Sequence, residues 1–135
     1  MVAIVSDVHF PHHHTGAWAA FREWHRVARP YWTICVEDML DLGALSRYDK
    51  SGDEPLPVEE IKCAVRELNA LARECERLTF MEGNHEDRFA RLLSGVPANF
   101  LAELKGLTLK EQMLAHGLNE RVEWVRESPQ SPGVK

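Results

Sequence analysis

Short apolar runs alternate with longer amphipathic stretches along most of this chain, and the alternation predicts its elements. Residues 2–6, VAIVS, are apolar on both faces, the pattern of a buried parallel strand. A helix follows over 15–28, where Ala17, Phe21, Trp24 and Ala28 recur at helical spacing and Pro30 stops it. On that stripe Trp24 faces the core, and His25 beside it is read as a surface residue. The aromatic and β-branched run YWTICVE, residues 31–37, is a second strand. The turn-rich segment KSGDEPLP, 50–57, is a loop. From 58 to about 77 the spacing of Ile61, Val65, Leu68, Leu71 or Ala72, and Cys75 marks an amphipathic helix, with Glu59 and Glu60 at the positive end of its dipole. RLTFME, 77–82, is a third strand, followed by helical pieces over 86–93, 97–104 and 108–115 and a short alternation in RVEWV.

This order predicts an α/β fold with a mainly parallel sheet flanked by helices. A chain of 135 residues is long enough for one domain and one core. That domain is read as 1–126, and the Pro-, Ser- and Gly-rich residues 127–135 as a loose tail.

Composition narrows the function classes. With 44% apolar and 27% charged residues the chain is an ordinary globular protein, and a formal charge of -5 provides no broad basic footprint for a nucleic-acid backbone. The opening MVAIVSDVHF lacks a basic n-region and is broken by Asp7, so it reads as neither signal peptide nor membrane span; a cytoplasmic protein without a membrane partner is the default expectation. Cys35, Cys63 and Cys75 are odd in number, form no C-x-x-C and sit among apolar residues. They are read as reduced thiols, the last two on a helix.

The candidate chemistry lies just after the strands. Asp7 and His9 follow the first, Glu37, Asp38 and Asp41 the second, and Asn84 and His85 the third. Ligands of open α/β sheets bind beyond the carboxyl ends of the strands, so these residues should converge. In an extended segment Asp7 and His9, two apart, would point to the same side and grip one cation. Carboxylate, imidazole and amide oxygen together suit borderline divalent metals such as Mn, Fe or Zn, and Asp38 is the best placed to bridge two. Taken alone, Gly83 and Asn84 also fit a turn that caps the helix over 86–93. In PHHHTG, three adjacent histidines cannot all face one ion; the stretch reads as a loop preceding the helix, with His13 a candidate to line the site.

DVH (7–9), EDMLD (37–41) and GNHE (83–86) resemble the first three motifs of the calcineurin-like metallophosphoesterases, D-x-H, G-D-x-x-D and G-N-H-[DE], in order and each after a strand. The resemblance implies the first half of that family's four-layer α/β sandwich. It also implies two divalent metal ions (Mn, Fe, Zn or Mg): Asp7 and His9 on one, Asp38 bridging, and Asn84 on the other. His85 would be the catalytic residue, contacting phosphate and protonating the leaving group, with Asp41 fixing a ligand's orientation. DLGALSRYD resembles phage and bacterial members and makes Arg47 a secondary candidate for phosphate contact. The implied reaction is hydrolysis of a phosphate mono- or diester, a nucleotide or a nucleic-acid end among the substrates.

The pattern breaks twice. Glu37 stands where the family has Gly before the bridging Asp, so it either points away from the site or adds a carboxylate to it. After residue 86 no G-H-x-H follows, and His116, in MLAHGLN, reads as a helix end beside a Gly cap. The chain thus resembles the N-terminal portion of such an enzyme: truncated, a degenerate and inactive remnant or binding module, or completed by an oligomer partner or second chain.

Overall fold

The computed structural model describes residues 1–46, 53–97, 99 and 106–126; the predicted tail, Arg47 and most of the predicted helix over 97–104 lie outside them. Four strands form one sheet: β1 (Val2–Ser6), β2 (Trp32–Val36), β3 (Arg77–Met81) and β4 (Val122–Val125), in that spatial order and all parallel. Between them run α1 (Thr15–Ala28), α2 (Pro57–Ala72), α3 (Asp87–Leu92) and α4 (Leu109–Ala115), with a 3-10 turn at Gly43–Leu45. The short alternation in RVEWV is therefore a true strand, paired with β3.

Local chemistry explains the helix ends. His14 Nδ1 accepts the amide of Ala17 at the start of α1, and Arg29, in the left-handed region at φ 43°, closes it. Pro57 opens α2 with Glu59 and Glu60 in its first turn, as the dipole argument requires. Thr108 and Glu111 form a reciprocal capping box on α4.

Strand register lines up two rows of side chains on one face of the sheet. Ala3, Thr33, Leu78 and Val122 lie in one row and Val5, Cys35, Phe80 and Trp124 in another. These rows meet Ile61, Leu68, Leu71 and Ala72 of α2 in the core, where Phe80 stacks on Trp124 with ring centroids 4.5 Å apart. Burial pushes the Cys35 thiol up to about 12, and all three cysteines are free.

Three expectations need correction. β1 was expected to be buried on both faces, yet Val2 and Ile4 are 51% and 67% exposed. β1 is an edge strand, and the described helices leave the sheet's second face open. His25, expected at the surface, is completely buried, while Trp24 is 44% exposed. The buried stripe of α1 runs through Trp18 and His25, seven residues apart, so it is rotated by one position from the predicted one. Third, α2 ends at Ala72, leaving 73–76 to turn the chain into β3, so Cys75 lies in that turn rather than on a helix.

Candidate metal centre

The loops after β1 and β2 are zipped together by backbone. The amide of Asp7 donates to Glu37 O, that of His9 to Asp38 O at 3.0 Å, and that of Phe10 to Met39 O at 2.7 Å, so the pairing continues past both strands. The predicted reason for convergence is not the observed one. Asp7 and His9 are not extended; their φ values are 54° and 55°, and Glu37 and Asp38 lie at 50° and 46°. Four non-glycine residues held in the left-handed region cost on the order of 1–3 kcal/mol each, and such strain collects where side chains must be aimed.

The aim is visible in the side chains. One donor atom each from Asp7, His9 and Asp38 lies within 4.8 Å of the others. Asp38 is buried, at 6% exposure, and neither aspartate has an ion-pair partner among the described residues. Two uncompensated carboxylates and an imidazole directed at one point form a donor set that fits a divalent cation of the Mn, Fe or Zn class.

The third loop is fastened to the second. His85 donates its backbone N–H to Asp38 Oδ1 at 2.9 Å. Its ring lies edge-on to His9 at 4.6 Å, and Nδ1 of each is 3.4 Å from Asp41 Oδ1. His85 Nδ1 also sits 2.9 Å from the Asp41 carbonyl, and Arg88 Nη2 lies 3.1 Å from Nε2. A carbonyl only accepts and a guanidinium only donates, which assigns the proton to Nδ1 and leaves Nε2 as acceptor. Asn84 is exposed in the turn one residue earlier. It does not cap the following helix, whose N-cap position falls at Glu86.

The family model of the calcineurin-like phosphoesterases matches residues 1–131. The chain belongs to that family. No curated protein and no solved structure matches it.

In this member of the family the departures from the family pattern acquire a physical reading. Glu37 occupies the family's glycine position with φ 50°, a conformation glycine would adopt without strain. It is exposed and belongs to none of the converging donor groups. Gly83 is needed for space: a Cβ there would stand 2.5 Å from Asp38 Oδ1 and 2.6 Å from its amide nitrogen. His116 closes α4 beside Gly117, at φ +89°, and joins no donor group.

The three histidines of PHHHTG go three ways. His14 caps α1, and His12 gathers with Asp41 and Glu54. His13 packs its ring on Phe10 and Trp18 and lines a cavity of about 280 Å³ together with Asp7; its buried Nδ1 has no hydrogen-bond partner among the described residues.

Two residues escaped the sequence reading. Arg88 holds both the Asp41 carbonyl, at 2.8 Å, and the ring of His85. Glu86, 1% exposed, clamps the second loop: Oε2 accepts the amides of Asp38 and Gly83 at 3.0 and 2.9 Å, and Oε1 that of Leu40 at 2.8 Å. Burial raises the pKa of Glu86, and the amides of Leu40 and Gly83 act against it. The last position of G-N-H-E was the signal, since a carboxylate after a turn seeks free amides.

Proposed function

We propose that this chain hydrolyses phosphate mono- or diesters at a dinuclear centre built on Asp7, His9, Asp38 and Asn84. The observation that carries the reading is the meeting of Asp7, His9 and Asp38 at one point, with His85 bonded to that same Asp38. Asp7 and His9 would hold one divalent cation, Asn84 the other, and Asp38 both. When bound, such cations polarise phosphoryl oxygens and acidify a water. Nucleotides and nucleic-acid ends are among the esters such a centre would accept.

Asp41 and Arg88 set the state of His85. The proton that His85 delivers to the leaving oxygen must first be taken up at Nε2, the atom Arg88 covers. Arg88 is therefore the phosphate contact we favour among the described residues: on leaving Nε2, its guanidinium can bind a phosphoryl oxygen. His13 stays a weaker candidate, placed on the cavity beside Asp7.

Four protein donors are too few for two complete coordination shells, so water, a further segment or a second chain fills the remainder. The open sheet face beside the strand ends is where another layer would pack, which favours a second chain or segment over water alone. The same shortage supports the alternative of a binding module that takes up metal without turnover.

Hydrolysis of p-nitrophenyl phosphate and bis-p-nitrophenyl phosphate with added Mn²⁺ separates the readings. Turnover abolished by Asp38→Ala supports the enzyme; Mn²⁺ uptake without turnover supports the binding module, and neither uptake nor turnover removes both.

A further inference from the structure

Asp41 divides its carboxylate between two places. Oδ1 faces His9 and His85, whereas Oδ2 lies beside Gly43 and Glu54. There a second group gathers: donor atoms of His12, Asp41 and Glu54 lie within 4.8 Å of one another. Gly43 makes the approach possible, because a Cβ at that position would sit 2.7 Å from Asp41 Oδ2 and 2.7 Å from Glu54 Oε2.

Glu60 lies behind this group, in the first turn of α2. It is completely buried, and its Oε2 accepts the amide of Leu42, the residue between Asp41 and Gly43. Its Oε1 has no hydrogen-bond partner among the described residues, and the charged groups acting on it are Asp41, His12 and Glu54. No lysine or arginine forms an ion pair with Asp41, Glu54 or Glu60 among the described residues. Three carboxylates, one with a buried oxygen left unbonded, repel one another unless a positive charge joins them.

We propose that His12, Asp41 and Glu54 form a further divalent-cation site, separate from the Asp7, His9 and Asp38 centre, with Glu60 supplying a buried carboxylate oxygen behind it. Carboxylate oxygens with one imidazole select Mn²⁺ or a similar ion over Ca²⁺. Sharing Asp41 places this ion one carboxylate away from His85. It thereby holds Asp41 in place, and through Asp41 the ring of His85, whether or not the first centre is filled.

Mn²⁺ binding to the full chain, followed by the electron paramagnetic resonance of the free ion, tests this without any activity measurement. Asp38→Asn should remove ions of the first centre and leave one Mn²⁺ per chain. Adding Glu54→Gln, or Gly43→Ala, should weaken that remaining ion by about 10–100-fold. In the otherwise unaltered chain Glu54→Gln should lower the ion count by one, a readout that survives if Asp38→Asn fails to fold. Unchanged affinity in both Glu54→Gln backgrounds, or a folded Asp38→Asn chain that binds no Mn²⁺, would overturn the proposal. An Asp38→Asn chain with the wild-type ion count instead counts against the dinuclear reading and leaves this site standing.

Discussion

Asp38 accepts the backbone N–H of His85 at 2.9 Å, so the carboxylate proposed to bridge two cations also anchors the backbone of the residue proposed to serve the leaving group. In that proposal one side chain links metal binding to the position of His85. Changes that move Asp38 should affect metal affinity and His85 together.

Gly83→Ala is the smallest such change. The added methyl would lie 2.5 Å from Asp38 Oδ1 and 2.7 Å from Glu37 Cβ, both of which must move. The expected cost is about 1–3 kcal/mol of stability, with Mn²⁺ affinity falling by about 10–100-fold. Denaturant unfolding and Mn²⁺ titration check both; an unaltered chain in both would show that this close approach does not exist.

Glu86→Ala should act mainly on stability. It strips the acceptor from the amides of Asp38, Leu40 and Gly83, at a cost of about 2–4 kcal/mol in urea unfolding. Glu86→Gln keeps one of the two acceptor oxygens and should lose less. Equal losses for the two variants would contradict the clamp.

His25 makes a comparable test at the other end of the sheet. Its Nδ1 meets Glu74 Oε2 and its Nε2 meets Thr33 Oγ1, both at 2.8 Å, while Arg22 grips Glu74 with two further bonds. Burial lowers the His25 pKa, so the ring is neutral and donates from Nδ1. His25→Ala should destabilise by about 2–4 kcal/mol, whereas a true surface histidine would change stability by less than about 0.5 kcal/mol.

Glu60 predicts an unusual pH dependence for the metal-free chain. Burial raises its pKa from 4.5 to about 7, so the folded state holds this proton more tightly than the unfolded state. Its contribution is fully present below about 4.5 and is lost as pH rises through about 7. Unfolding across that interval should show stability falling with pH, and Glu60→Gln should flatten the slope; an unchanged slope in the variant would exclude Glu60 as the source.

The strands and three of the four described helices could be read to within a residue or two, because β-branched runs, Pro30 and the capping box leave local marks. The meeting of Asp7, His9 and Asp38 was legible as well, since each follows a strand end. What stayed hidden depends on residues far apart in the chain. Burial of His25 needs Thr33 and Glu74, the clamp of Glu86 needs amides 46 and 48 positions away, and the two-sided role of Asp41 needs Glu54. The left-handed backbone at Asp7, His9, Glu37 and Asp38 was hidden for another reason: none of them is glycine, and only the pairing of the two loops imposes it.

Anomalous X-ray scattering from crystals of the full chain soaked in MnCl₂ tests the central claim most directly. The account predicts a manganese peak within bonding distance of the side chains of Asp7, His9 and Asp38, lost in crystals of Asp38→Asn. A well-ordered structure at saturating Mn²⁺ with no peak between those three residues would contradict it.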